Sequence, residues 1–163
     1  MNKPTENEFH TIRGYQLKQQ NESGLTPALE DYLEMTYRLC VEEKYTRINK
    51  LSKSLHVSPP AASKMVSKLV EFGFLEYDSL ECIRLTKEGK CAGAYLLERH
   101  YIMESFFSLL GSETPLKETE LVEHMLCRST VLKIQALVDF FNQNTDLHQQ
   151  FHSFIDSYNF SKI

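Results

Sequence analysis

The sequence predicts a mainly α-helical protein: an N-terminal winged helix-turn-helix followed by an all-helical second domain. Three observations predict it. Between Lys44 and Val70 stand two short amphipathic segments joined by the turn His56-Val57-Ser58. Directly after them, residues 74–78 and 82–86 read as two strands around Ser79-Leu80-Glu81, the hairpin of a wing. From Lys87 on, apolar residues recur at helical spacing, and they are more numerous than a lone winged helix needs. The expected boundaries are an N-terminal extension over 1–25, the winged helix-turn-helix over 26–95 and the helical domain over 96–163.

Composition bounds the class. With 163 residues, 42% of them apolar and 25% charged, the chain has enough apolar side chains for a core that needs no covalent staples. The cysteines Cys40, Cys82, Cys91 and Cys127 show no C-x-x-C spacing, which argues against a zinc finger or redox dithiol and for reduced thiols. Residues 1–24 hold no apolar run that reads as an export signal, and no stretch is long enough to span a bilayer. A cytoplasmic location without membrane association is expected.

The net charge of −4 is unevenly spread. Residues 1–43 carry four Lys/Arg and eight Asp/Glu, residues 44–100 carry ten and six, and residues 101–163 carry four and eight. Lys44 to Val70 holds six basic residues and no acid, the pattern of a surface that faces phosphates.

The elements follow in order. Residues 1–24 read as a mobile or weakly helical tail, with Lys3, Arg13 and Lys18 as the basic residues of a DNA-contacting arm if it has that role. Thr26-Pro27 opens a helix as N-cap and first helical residue, and Leu29, Tyr32, Leu33, Thr36, Tyr37 and Cys40 mark its inner stripe. Thr46 to Leu55 is the next helix. Ser58 caps a further one, with Pro59 and Pro60 in its first turn and Gly73 as its stop. Ala62, Val66, Leu69 and Val70 face inward on that helix. Outward stand Ala61, Ser63, Lys64, Ser67 and Lys68, small enough to enter a major groove about 12 Å wide and basic enough to hold phosphates or guanine edges. With Arg47, Ser58, Pro59 and Pro60 they form the expected DNA-binding set. Thr86 caps a long helix that ends at Gly111. A helix over about 116–127 follows, then one capped by Ser129, then a last one over 146–160 whose His148 and His152 read as surface residues.

Three residue groups carry metal-ligand chemistry. Glu120, Glu123 and His124 stand at i, i+3 and i+4, which on a helix places them on one face. A solvated charged face has the same pattern. Asp31 and Glu34 stand at i, i+3 near a helix start, where acids also complement the helix dipole. His100 and Glu104 stand at i, i+4 on the long helix.

Taken together, the order and spacing of Leu29-Glu30-Asp31-Tyr32-Leu33-Glu34, of Val57-Ser58-Pro59 through Lys64-Met65-Val66, of Arg99-His100 and of Glu120-x-x-Glu123-His124 resemble the diphtheria-toxin-repressor family of metal-dependent transcription regulators. The resemblance covers about residues 26–160 and fits best the short manganese-transport-regulator branch. It implies a binuclear metal pocket whose ligands fall on Asp31, Glu34, His100, Glu120, Glu123 and His124. Glu104 resembles an ancillary-site carboxylate of second rank, with Leu116 where that site's further histidine would stand. The carboxylate-rich donor set suits Mn²⁺, with Fe²⁺ and Co²⁺ as the alternatives. Met125 stands where some manganese-type members have a second histidine. The resemblance further implies a homodimer on a palindromic double-stranded operator, the second domain being its all-helical dimerisation domain, and repression of metal-uptake genes. In that reading the cation ties the DNA-binding half to the dimerisation half and holds both recognition helices at a half-site spacing of roughly 34–36 Å. No nucleophilic triad, phosphate loop or zinc-hydrolase motif occurs, so neither an enzymatic role nor a small-molecule substrate is expected. The competing reading is a metal-independent winged-helix regulator controlled by a small ligand or by thiol redox, with Cys127 as its candidate thiol.

Overall fold

The structure, a computed structural model, describes residues 25–78, 80 and 82–158. The tail expected over 1–24 therefore lies outside the described residues. The chain forms two compact units, the first through Ala94 and the second from Tyr95.

The first unit opens with α1 (Pro27–Glu43). Thr26 caps it as the sequence predicts: its hydroxyl accepts from the Leu29 N–H at 3.3 Å. Leu29, Leu33, Thr36 and Cys40 are buried along one stripe. Lys44 ends the helix in the left-handed conformation (φ 65°), and its N–H donates to the Cys40 carbonyl.

Next come α2 (Ile48–Ser54) and α3 (Pro59–Glu71). The first helix of the pair starts two residues later than expected. Thr46 is buried and exchanges both backbone hydrogen bonds with Ile83, at 2.9 and 2.8 Å. That long-range pairing holds Thr46 in extended backbone, which local helical spacing could not foretell. Ser58 caps α3, accepting from the Ala61 N–H at 3.4 Å. Ala62, Val66 and Leu69 are fully buried beneath it, Val70 is half-buried, and Gly73 follows at φ 79°. Only a residue without Cβ takes that backbone at no steric cost.

The wing is β1 (Leu75–Tyr77) paired antiparallel with β2 (Ile83–Leu85), Glu76 opposite Arg84. Asp78 organises its turn. Its Oδ1 accepts from the Leu80 and Cys82 N–H groups, both at 2.9 Å, and its Oδ2 pairs with Arg84 Nε at 3.0 Å.

The long helix α4 (Lys87–Leu109) begins under Thr86, whose hydroxyl accepts from the Gly89 N–H at 3.0 Å. Gly89 and Gly93 allow the start of α4 to approach its neighbours. A Cβ on Gly89 would stand 1.9 Å from the Phe74 carbonyl oxygen, and one on Gly93 would stand 2.6 Å from the Tyr37 Cβ.

In the second unit α4 continues from Tyr95 and ends before Gly111 (φ 77°). After it come α5 (Pro115–Val122), a 3₁₀ turn over Glu123–Met125, α6 (Arg128–Gln143) and α7 (Thr145–Ser157). Leu96, Ile102, Met103, Leu109, Val131 and Val138 are its buried apolar residues.

Two expectations need correction. The helix foreseen over 116–127 breaks after Val122, so Glu120 lies on α-helix while Glu123 and His124 lie on the tighter turn. The following helix is capped by Cys127, two residues earlier than Ser129, and no side-chain capping hydrogen bond is made there. In the last helix, Phe160 lies outside the described residues, and none of Thr145–Ser157 is buried. Among the described residues no helix is long and apolar enough to cross a membrane.

Candidate metal centre and nucleic-acid interface

The second unit brings four of the six expected metal ligands together. Leu96, Arg99, His100 and Met103 share the inward stripe of α4, which places a guanidinium and an imidazole among apolar residues. His100 is 5% exposed and Glu123 is 1% exposed. His100 Nδ1 stands 3.4 Å from Glu123 Oε1 and 3.8 Å from Glu120 Oε1. His124 Nε2 stands 3.9 Å from the same Glu123 oxygen. Donor atoms held at roughly 2.0–2.2 Å from one divalent cation stand about 3 Å apart; the His100–Glu123 pair at 3.4 Å is near that separation, while Glu120 and His124 stand further out.

The break in α5 matters to this geometry. Glu120, on the helical side, keeps its side chain 57% exposed, while the 3₁₀ turn carries Glu123 inward. The three residues therefore do not form the single helix face expected of i, i+3, i+4. Glu120 and Glu123 approach His100 from different depths, and His124 approaches Glu123.

A buried carboxylate is costly unless its oxygens are satisfied. Glu123 Oε2 is buried and accepts no hydrogen bond, and Arg99 Nε, at 3.8 Å, pairs with it by charge alone. The donor set thus fits a cation: an acceptor oxygen with unused capacity sits beside an imidazole and a second carboxylate. Oxygen-rich sets of this kind suit hard divalent ions.

Arg99 is the residue that sequence reasoning missed, though the Arg99-His100 pair was part of the family resemblance. It is 2% exposed, and its Nη2 stands 3.1 Å from His124 Nδ1. An arginine has donors only, so His124 Nδ1 accepts and its proton resides on Nε2. Any cation binding at Nδ1 would displace that hydrogen bond. The available signal was the spacing itself: Leu96, Arg99, His100 and Met103 stand at i, i+3, i+4 and i+7.

Asp31 and Glu34 belong to α1 in the first unit. Asp31 is exposed, whereas Glu34 is 8% exposed and accepts from Arg38 Nε at 3.0 Å and Nη2 at 2.7 Å. Glu104 does not join the Glu123 cluster among the described residues. It lines a separate cavity with His148 and His152. Those two histidines, expected as surface residues, are half-buried and paired Nε2 to Nε2 at 2.9 Å.

The expected DNA-binding residues lie on one exposed stretch of the first unit. Arg47, Ser58, Pro59, Pro60, Ala61, Lys64, Ser67 and Lys68 are exposed and Ser63 is half-buried. Arg47 Nε approaches Cys82 Sγ at 3.4 Å, and its guanidinium lies 6.0 Å from the Tyr45 ring centre. This hydrogen bond raises the pKa of an already strong base. Cys127, the thiol of the competing reading, is exposed, with Ser129 Oγ and Thr130 Oγ1 both 3.2 Å from its sulfur. Those hydroxyls lower its pKa to about 7.

A small-residue recognition helix with a wing, in a chain whose second unit carries a buried imidazole–carboxylate cluster, defines a DNA-binding regulator with a metal-type site. Residues 24–80 match the family described as iron dependent repressor, N-terminal DNA binding domain. The chain is 32% identical over 124 residues to the HTH-type transcriptional regulator MntR of Lysinibacillus sphaericus, covering 75% of this chain and 89% of the relative. It is 35% identical over 123 residues to MntR of Listeria welshimeri, covering 74% and 87%. Among solved structures it is similar to the manganese regulator SloR, at 27% identity and a TM-score of 0.63. That match covers 71% of this chain, which spans 55% of the solved chain. The chain belongs to the diphtheria-toxin-repressor family of metal-responsive transcriptional repressors, in its manganese-transport-regulator branch. The metal-independent alternative is not favoured.

Proposed function

We propose that the protein is a manganese-activated repressor of metal-uptake genes, acting in the cytoplasm as a homodimer on a palindromic operator. The observation that carries the metal reading is the buried Glu123 carboxylate beside His100, with one oxygen that accepts no hydrogen bond. Glu120 and His124 complete the donor set of the second unit, and Asp31 and Glu34 supply the carboxylates of the first. These six are the ligands we assign to a binuclear centre. Bound there, Mn²⁺ would supply the positive charge that offsets the mutual repulsion of the four carboxylates.

The chain's own residues do the rest. Arg99 neutralises Glu123 in the metal-free protein and holds the His124 ring. Lys64 and Lys68 reach phosphates or guanine edges, while Pro60, Ala61 and Ser63 leave room for α3 in the groove. The homodimer is supported by the apolar residues that the second unit leaves exposed, among them Leu121 (68%), Leu132 (58%) and Phe154 (61%). Coupling between metal and DNA binding in such systems is typically about 1–3 kcal/mol.

The test is fluorescence anisotropy with a palindromic operator, titrated with protein in the presence of MnCl₂ or of chelator. Tighter binding with Mn²⁺ is expected. Equal affinity in both conditions would reject the reading.

A further inference from the structure

We propose that the second unit holds a further cation site, separate from the Glu123 cluster, in which His148 and His152 of α7 bind a late first-row divalent ion of the Zn²⁺ type, with Glu104 of α4 reached through water across the same cavity. The two histidines stand one helical turn apart, and their Nε2 atoms face each other at 2.9 Å. Two nitrogens held at roughly 2.0–2.1 Å from one ion, at angles between square and tetrahedral, stand about 2.9–3.4 Å apart. The observed separation is already that of a chelate. Histidines at i, i+4 on a helix are also the pair by which the H-E-x-x-H motif holds zinc.

The rings are held in place by their neighbours. His148 packs on Phe141 with ring centres 6.3 Å apart, His152 packs on Phe151 at 6.1 Å, and the two phenylalanines meet at 5.1 Å. Such apolar backing limits ring rotation and lowers the ordering cost of ligation. In the metal-free protein one Nε2 must donate to the other, so the pair shares a single proton at this contact. A divalent ion would replace that proton and use both lone pairs.

The histidines open onto a cavity of about 410 Å³ that Tyr101, Glu104, Ser105 and Asn142 also line. The volume leaves room for water ligands, and Glu104 places an anionic group on the cavity wall to accept hydrogen bonds from them. Two imidazoles completed by water form a more nitrogen-rich set than the carboxylate-dominated Glu123 cluster. Affinity at such a site rises from Mn²⁺ towards the later metals, so it favours Zn²⁺ over Mn²⁺.

Zn²⁺ binding to the full chain tests this, measured by competition with a chromophoric chelator. The wild type should bind one more Zn²⁺ per chain than the His148→Ala, His152→Ala double variant, and Glu104→Gln should weaken that equivalent about 10-fold. The thermal shift given by Mn²⁺ should be the same in the double variant as in the wild type. Equal Zn²⁺ stoichiometry and affinity in wild type and double variant would overturn the site. A measurement on the wild type alone covers a variant that does not fold: Zn²⁺ should protect His148 and His152 from diethyl pyrocarbonate, read by peptide mass spectrometry. Modification at an unchanged rate would overturn it equally.

Discussion

Glu123→Gln removes one charge from the second unit and little volume. In the metal-free protein the loss falls on Arg99, which is 2% exposed and has the Glu123 carboxylate 3.8 Å from its Nε. Leaving a buried charge wholly unpaired costs about 3–5 kcal/mol, whereas weakening one polar contact of a group that keeps other partners costs about 1–3 kcal/mol. The lower half of that range applies, because the 3.8 Å pair is not a hydrogen bond and Arg99 keeps His124 Nδ1 at 3.1 Å. For a chain of this size 1 kcal/mol moves Tm by about 2–4 °C, so the variant should melt about 2–8 °C lower. The metal response separates a structural role from a ligand role. At 100 times Kd a ligand stabilises by about 2.7 kcal/mol, which is about 5–11 °C in the wild type. In Glu123→Gln the shift with MnCl₂ should shrink below about 2 °C. Thermal melts of chelator-treated protein, with and without MnCl₂, measure both quantities. A variant that melts lower yet keeps the full Mn²⁺ shift would refute the ligand assignment and leave Glu123 a structural partner of Arg99.

Other perturbations test other parts. Lys64→Ala should weaken operator binding and reduce the slope of log affinity against log salt by about 1, with the Mn²⁺ thermal shift intact; an unchanged slope would move Lys64 off the phosphate-facing surface. Gly89→Ala should destabilise the first unit by about 1–2 kcal/mol, because its Cβ would stand 1.9 Å from the Phe74 carbonyl oxygen and the clash outweighs the helix propensity gained, about 1 kcal/mol; urea unfolding followed by circular dichroism measures it, and a more stable variant would contradict the close approach. Cys127 should alkylate with iodoacetamide with a midpoint near pH 7, since the Ser129 and Thr130 hydroxyls hold its pKa at about 7; the thiolate gains as pH rises, and Ser129→Ala should move the midpoint upward. Asp78→Asn should loosen the wing turn. Backbone hydrogen bonds, foremost from Cys82, lower the Asp78 pKa, so the stabilisation it gives is present above about pH 4 and is lost as pH falls below that. Amide exchange at Cys82 should be faster in the variant at pH 7 and equal to wild type under strong acid.

Much of the fold was legible because its signals are local. Thr26-Pro27 and Ser58-Pro59 carry their own capping chemistry, Gly73 and Gly111 supply the positive φ that ends a helix, and the buried stripe of Ala62, Val66 and Leu69 is written in the spacing. The donor types of the metal centre were equally plain, since Glu120, Glu123, His124 and His100 offer ligands wherever they lie. What the sequence by itself determined was therefore the element order, the helix-turn-helix with its basic face and the list of donor groups.

Tertiary structure decided where those groups stand. Thr46 leaves its helix because Ile83, thirty-seven positions on, takes both of its backbone hydrogen bonds. The helix that holds Glu120 tightens to a 3₁₀ turn at Glu123, which carries one carboxylate inward and leaves the other exposed. Arg99 becomes the buried partner of Glu123 and His124, and His148 and His152 become a half-buried facing pair on a cavity that Glu104 also lines. Each of these depends on contacts between residues far apart in sequence, whose energies no local propensity contains.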